Sequence, residues 1–147
     1  KSTIYRQWSG KLEIVEAALE LLKADVVVDA AAPPRRRLTE LLARLAGFIG
    51  DLDEPGAACF PALVSAAHYD PAVREFHFRF GAEVRQVLVD IITEGQRSGE
   101  FSDDRDPVLA AELLMGPIFY RRLMTPTSYP VGGVDVLVAA VLGPQNR

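Results

Sequence analysis

Cysteine, histidine and long apolar runs are the scarce features of this 147-residue chain, and each scarcity excludes something. Cys59 stands alone, so no intramolecular disulfide can form, and a single thiol fits a reducing, cytoplasmic setting. No apolar run approaches the roughly 20 residues that span a bilayer, and no secretory pattern opens the sequence, so no membrane partner is expected. The two histidines, His68 and His77, and the lone thiol do not fall at metal-ligand spacings, so no metal and no cofactor are expected. There is no glycine-rich phosphate loop and no nucleophile motif, which argues against an enzyme. The acidic groups Asp103-Asp104 and Asp51, Asp53 and Glu54 sit in turn-like stretches and read as solvated loops or caps. Cys59 beside Phe60 reads as a core residue. No internal repeat or low-complexity segment stands out.

What is present is an ordinary globular composition, 49% hydrophobic and 24% charged, enough for one domain with a sizeable core. The net charge is −4 and the sequence pI about 5.2, so the chain as a whole does not advertise nucleic-acid binding. Its first residues differ. Lys1, Arg6 and Lys11 precede the first carboxylate, Glu13, which puts a basic end on an acidic body.

Apolar periodicity predicts helices nearly throughout. Residues 2–8 read as a short helix with Ile4 and Trp8 on one face, and Ser9-Gly10 as its interruption. Ser9 would cap a second helix over residues 11–23, striped by Leu12, Val15, Ala18, Leu19 and Leu22. Residues 26–34 read as a break, with a short strand at 26–28 as the alternative. A helix is expected over 35–49 on the stripe Leu38, Leu41, Leu42, Leu45 and Phe48. A loop follows at 51–56, then a shorter helix over 57–68. Asp70-Pro71 and Asp106-Pro107 each supply an N-cap followed by proline at the first helical position. They open helices to about residues 97 and 124; the first carries Val73, Phe76, Phe80, Val84, Val87, Leu88 and Ile91. The second is apolar nearly all round, through Leu109, Leu113, Leu114, Met115, Ile118, Phe119 and Leu123, and Pro117 should kink it. Residues 134–142 form a last apolar run, read as a helix although its valines also suit a strand. These last helices carry more apolar surface than one small bundle hides, which points to a subunit interface.

The stretch from Lys1 to Val15, with Thr3, Ile4, Tyr5, Trp8 and Lys11 in order, resembles the recognition-helix end of TetR/AcrR-family regulators. The segment Leu114-Met-Gly-Pro-Ile-Phe-Tyr-Arg-Arg-Leu resembles a dimer-forming segment common in one class of TetR C-terminal domains. Gly99-Glu-Phe followed by Asp106-Pro107 is similar to the approach to that helix. The expected fold is therefore all-α: a TetR-like C-terminal bundle of about six main helices preceded by a truncated helix-turn-helix. Residues 1–11 would end the DNA-binding domain, and 12–147 would form the ligand-binding and dimerisation domain, with 12–24 a connecting helix. The physics of the first motif is that of a recognition helix seated by Ile4 and Trp8. Lys1, Ser2, Thr3 and Arg6 are suited to base edges and phosphates. The resemblance gives Tyr5 and Lys11 a phosphate-clamping role. Because the helices that seat the recognition helix in that family do not precede Lys1, this sequence alone should hold an operator weakly.

The resemblance also implies a homodimer, double-stranded operator DNA as the partner of the full-length protein, and a small, often apolar effector inside the bundle. Candidate lining residues are Phe48, Phe60, Leu63, His68, Phe76, Phe80, Val84, Met115, Phe119 and Tyr120. Taken one at a time each suits plain core packing better than a ligand, and the two histidines suit the surface or a capped place in the core. Gly81 and Gly116 would leave room for a ligand or allow close helix packing. The candidate dimer interface is Leu109, Leu113, Gly116, Pro117, Tyr120, Val134, Leu137, Val138 and Val141. The alternative is a homodimeric interaction or ligand-binding module without DNA binding, which leaves residues 1–11 unexplained.

Overall fold

The computed structural model describes residues 29–50 and 59–144. The described residues are helical, with no strand among them, so the helix reading of residues 134–142 holds and its strand alternative does not. Five helices follow in order: α1 Pro34–Gly50, α2 Cys59–Tyr69, α3 Pro71–Arg97, α4 Pro107–Met124 and α5 Val134–Leu142. A 3-10 turn at Val131–Gly133 leads into α5.

The starts of α3 and α4 follow from local chemistry. Asp70 Oδ1 accepts from the amides of Ala72 at 2.9 Å and Val73 at 3.4 Å, and Pro71 takes a position whose amide would have no helical partner. Asp106 Oδ1 accepts from the Leu109 amide at 2.9 Å, again with proline next. α3 ends at Arg97, and Gly99 carries the positive φ of 76° that turns the chain away. α4 runs through Pro117 as one helix.

Two apolar clusters hold the helices together. The larger takes Leu38, Leu41, Leu42, Ala46 and Ile49 from α1, Leu88, Ile91 and Ile92 from α3, Ala110, Ala111, Leu114 and Ile118 from α4, and Val134, Val138 and Leu142 from α5. Phe101 joins it from the loop between α3 and α4. The smaller is Leu63 and Ala67 of α2 with Val73 and Phe76 of α3. Arg74 staples that corner, donating from Nε to the Ala67 carbonyl at 2.8 Å and from Nη2 to the His68 carbonyl at 2.9 Å. Each fully buried leucine or valine contributes about 1.5–3 kcal/mol of apolar transfer, so the larger cluster dominates the fold.

The stripe on α1 lies inward as the spacing predicts, with Leu45 and Phe48 half-buried at its margin. On α3, Val87 is 45% exposed, and Ile92 takes the inward place instead. On α4, Leu109 and Leu113, both interface candidates, lie outside together with Leu123, while Ala110 and Ala111 are fully buried. Two alanines let α4 come close to its neighbours, and the large side chains flanking them are turned out.

Candidate ligand junction and subunit face

The DNA-binding candidates Lys1, Ser2, Thr3, Tyr5, Arg6 and Lys11, and the connecting helix over 12–24, lie outside the described residues. So does the side chain of Cys59. Most of the remaining candidates fall in two places, a junction between the clusters and an outward face on α4.

The junction is aromatic. Phe48 of α1 packs against both clusters. Phe60, near the start of α2, stacks on Phe119 of α4 with ring centroids 5.0 Å apart and planes inclined by 29°. Phe60, Met115 and Phe119 are half-buried against the larger cluster, so they line its edge and not its centre. On the other side Phe76 is buried in the smaller cluster, and Phe80 stacks on it at 6.0 Å. Leu63 is buried in the same cluster. Among the described residues no polar or charged residue is fully buried. A molecule seated between these rings would therefore be held by dispersion and apolar burial, with few hydrogen bonds from the described side chains.

Three ligand candidates stand apart from the junction. His68 is exposed, with its ring edge-on to Tyr69 at 5.6 Å. Tyr120 is 61% exposed and faces outward with the subunit-face residues. Val84 is half-buried on α3.

The outward face runs along α4 through Leu109, Leu113, Gly116, Tyr120 and Leu123, spaced four and three residues apart and hence on one side of the helix. A Cβ added at Gly116 would meet nothing within 4 Å. Pro117 is half-buried beside it. Val108 and Met124 extend the exposed apolar surface at the two ends of α4, and Val131 and Val136 add to it near α5. At typical side-chain areas the α4 stripe alone exposes roughly 400 Å², about half of what one partner contributes to a standard protein interface. α5 offers less than its sequence promises. Val134 and Val138 are 1% exposed and belong to the core of their own subunit, and Leu137 and Val141 are half-buried against it. Val136, which lies between them on the other side of the helix, is the exposed one at 71%.

The family described as tetracyclin repressor-like, C-terminal domain, matches residues 33–141, from the start of α1 to the next-to-last residue of α5. The chain belongs to that family. Among curated proteins it is similar to uncharacterized HTH-type transcriptional regulators of Mycobacterium tuberculosis and Mycobacterium bovis. The identity to each is 35% over 100 residues, covering 67% of this chain and 46% of the relative. It is also similar to the HTH-type transcriptional regulator YdeS of Bacillus subtilis, at 25% identity over 127 residues, covering 85% of this chain and 63% of the relative. The chain thus spans about half to two thirds of the length of the curated relatives it matches. The TetR-like resemblance read from the two ends of the sequence and the family matched across its body agree. Catalysis is not what these relatives are named for, and among the described residues no group of three or more His, Cys, Asp or Glu side chains could hold a metal ion. No described helix is long and apolar enough to cross a membrane.

Proposed function

We propose that this chain is the sensing and dimer-forming part of a DNA-binding transcriptional repressor, released from its operator by a small apolar ligand. The observation that carries the reading is the likeness to HTH-type transcriptional regulators across most of a bundle whose α4 keeps an apolar stripe outside. That stripe suits a second copy of the chain, because large exposed apolar surfaces are otherwise uncommon on soluble proteins.

The ligand would enter at the aromatic junction, parting Phe60 from Phe119 and resting against Phe48 and Met115. Leu63, Phe76 and Phe80 would form the wall on the α2 side. Release from DNA requires that the ligand bind one conformation of the dimer more tightly than the other. The junction suits this requirement, since a molecule wedged there changes how α2 sits against α1 and α4. In the full-length protein Thr3, Arg6, Lys1 and Ser2 would face the major groove, and Tyr5 and Lys11 would hold phosphates.

The test uses the full-length protein, with a complete helix-turn-helix. It is expected to select a palindromic operator with half-sites about one helical turn apart or slightly more. Tyr5→Ala with Lys11→Ala should weaken binding to all sequences alike, and unchanged affinity would remove their assigned role. An apolar probe such as an aminonaphthalene sulfonate dye should bind the parent chain and lose affinity in Phe119→Ala. Equal dye binding by parent and variant would return the junction to plain packing.

A further inference from the structure

We propose that Arg35 and Arg105 are positioning residues that clamp the carbonyl end of α5 and so hold it in place for a second copy of the chain. The proposal rests on the dimer reading above.

The helix being held is short. α5 has nine residues, its first turn has no side-chain cap, and its outward surface includes the exposed Val136. The last carbonyls of any helix lack intrahelical donors, and an end left without partners frays. Here two arginines from distant parts of the chain supply them. Arg105, in the loop before α4, donates from Nη1 to the Val141 carbonyl. Arg35, in the first turn of α1, donates from Nη2 to the Gly143 carbonyl at 2.8 Å. Gly143 has φ 86°, a backbone conformation that other residues rarely adopt, and there the chain leaves the helix. Cations beside a helix C-terminus also oppose its negative dipole end.

The Arg35 side chain and the Arg105 backbone are each held in turn. The Arg35 guanidinium lies 5.2 Å from the centre of the Phe101 ring, a cation–π distance. Phe101 is 3% exposed and presses on Gly95 of α3 so closely that a Cβ there would collide with the ring. The Gly95 carbonyl accepts from the amides of both Glu100 and Phe101, which closes this turn. Glu100 in turn accepts from the Arg35 amide at 3.3 Å. The backbone at Arg105 is held by Gln96, whose Nε2 donates to the Arg105 carbonyl at 2.7 Å and to the Ser102 carbonyl at 3.1 Å. The end of α3, the start of α1 and the approach to α4 thus converge on the last turn of α5. These contacts come in addition to the apolar burial of Val134, Val138 and Leu142, which anchors α5 in the core.

The experiment measures dimer dissociation by analytical ultracentrifugation and amide hydrogen exchange across residues 134–142 on the same samples. Arg35→Ala and Arg105→Ala are each expected to speed exchange in α5 by about ten-fold and to weaken the dimer by a similar factor. Arg35→Lys, which keeps the charge and loses the planar stacking fork, should fall between parent and alanine. Arg36→Ala is the control, because Arg36 pairs with Glu40 on the exposed face of α1, away from α5, and should change neither readout. Faster α5 exchange with an unchanged dimer overturns the positioning role, and unchanged α5 exchange overturns the clamp itself. A parent chain that stays monomeric at tens of micromolar overturns the dimer reading, and the exchange data then still report on the clamp separately. Should either alanine variant fail to fold, the lysine variants of both positions carry the same two readouts.

Discussion

The two apolar clusters share one helix, α3, yet they are closed to different degrees. Where α3 gives Leu88, Ile91 and Ile92 to the larger cluster, three other helices and Phe101 close over them. Where it gives Val73 and Phe76 to the smaller one, α2 alone supplies the buried partners, with Phe48, Ala66 and Phe80 at the margin. The larger cluster is a framework, and the smaller is an appendage joined to it through Phe48 and the Phe60–Phe119 stack. In proteins, segments with few buried contacts open locally below the cost of global unfolding. A sensor needs such a part, since a ligand can displace only what is held weakly.

The largest effect that would break this contrast comes from cutting a buried leucine to alanine on each side. Leu88→Ala should cost about 3–5 kcal/mol, because a cavity surrounded by four helices relaxes little. Leu63→Ala should cost about 2–3 kcal/mol, since a corner closed by two helices can collapse on the gap. Urea unfolding measures both. Hydrogen exchange should rise everywhere in the first variant but only in residues 59–80 in the second. Equal losses with the same exchange pattern would make the clusters one cooperative unit and remove the distinction.

The helix caps sharpen the same contrast at lower cost. Asp70 and Asp106 occupy equivalent positions before proline, one opening α3 at the smaller cluster and one opening α4 at the larger. Replacing either by alanine should cost about 1 kcal/mol. Asp106→Ala should lower the global unfolding midpoint by that amount. Asp70→Ala should instead speed exchange around the α2–α3 corner, where Asp70 serves two amides and Arg74 grips the end of α2. A global loss as large from Asp70→Ala would show that the corner is bound into the framework.

What the sequence made legible follows the same division between local and distant causes. The Asp-Pro pairs place the starts of α3 and α4 because an aspartate, its own nearby amides and a proline decide the matter within four residues. The α1 stripe is legible because its opposite face is charged, so only one side can turn inward. α4 was not legible in this way, being apolar on most sides. Which side goes in was decided by the smallness of Ala110 and Ala111, a question of how closely neighbouring helices approach. The same holds for α5, where four valines look alike in sequence but Val134 and Val138 are core and Val136 is not. Of the ligand candidates, the phenylalanines gather because their large apolar rings are buried where the helices meet, while His68 and Tyr120 fall outside. The grip of Arg35 and Arg105 on α5 joins residues more than thirty positions apart and has no signature in local spacing.

The smallest effect tests whether the appendage responds to pH before the framework does. His77 lies on α3 just beyond the smaller cluster, and its partial burial lowers its pKa from the ordinary value. The charged form is thus disfavoured in the folded state, and the unfolded chain binds a proton more readily near its own value of about 6.5. By linkage the stability contributed by neutral His77 is fully present above that pH. It is lost as pH falls from about 6.5 through the lower folded-state pKa, after which it levels off. The imidazole is more exposed than buried, so the loss should be a small part of the total. Comparing the parent with His77→Gln at each pH removes the shared contribution of the carboxylates. Between pH 7.5 and 5.5 the parent should lose more stability than the variant, and its extra exchange should appear in residues 59–80 and not in 107–142. The opposite order would mean that protonation acts through the framework, because a charge that the smaller cluster tolerates must then be paid for by the larger one.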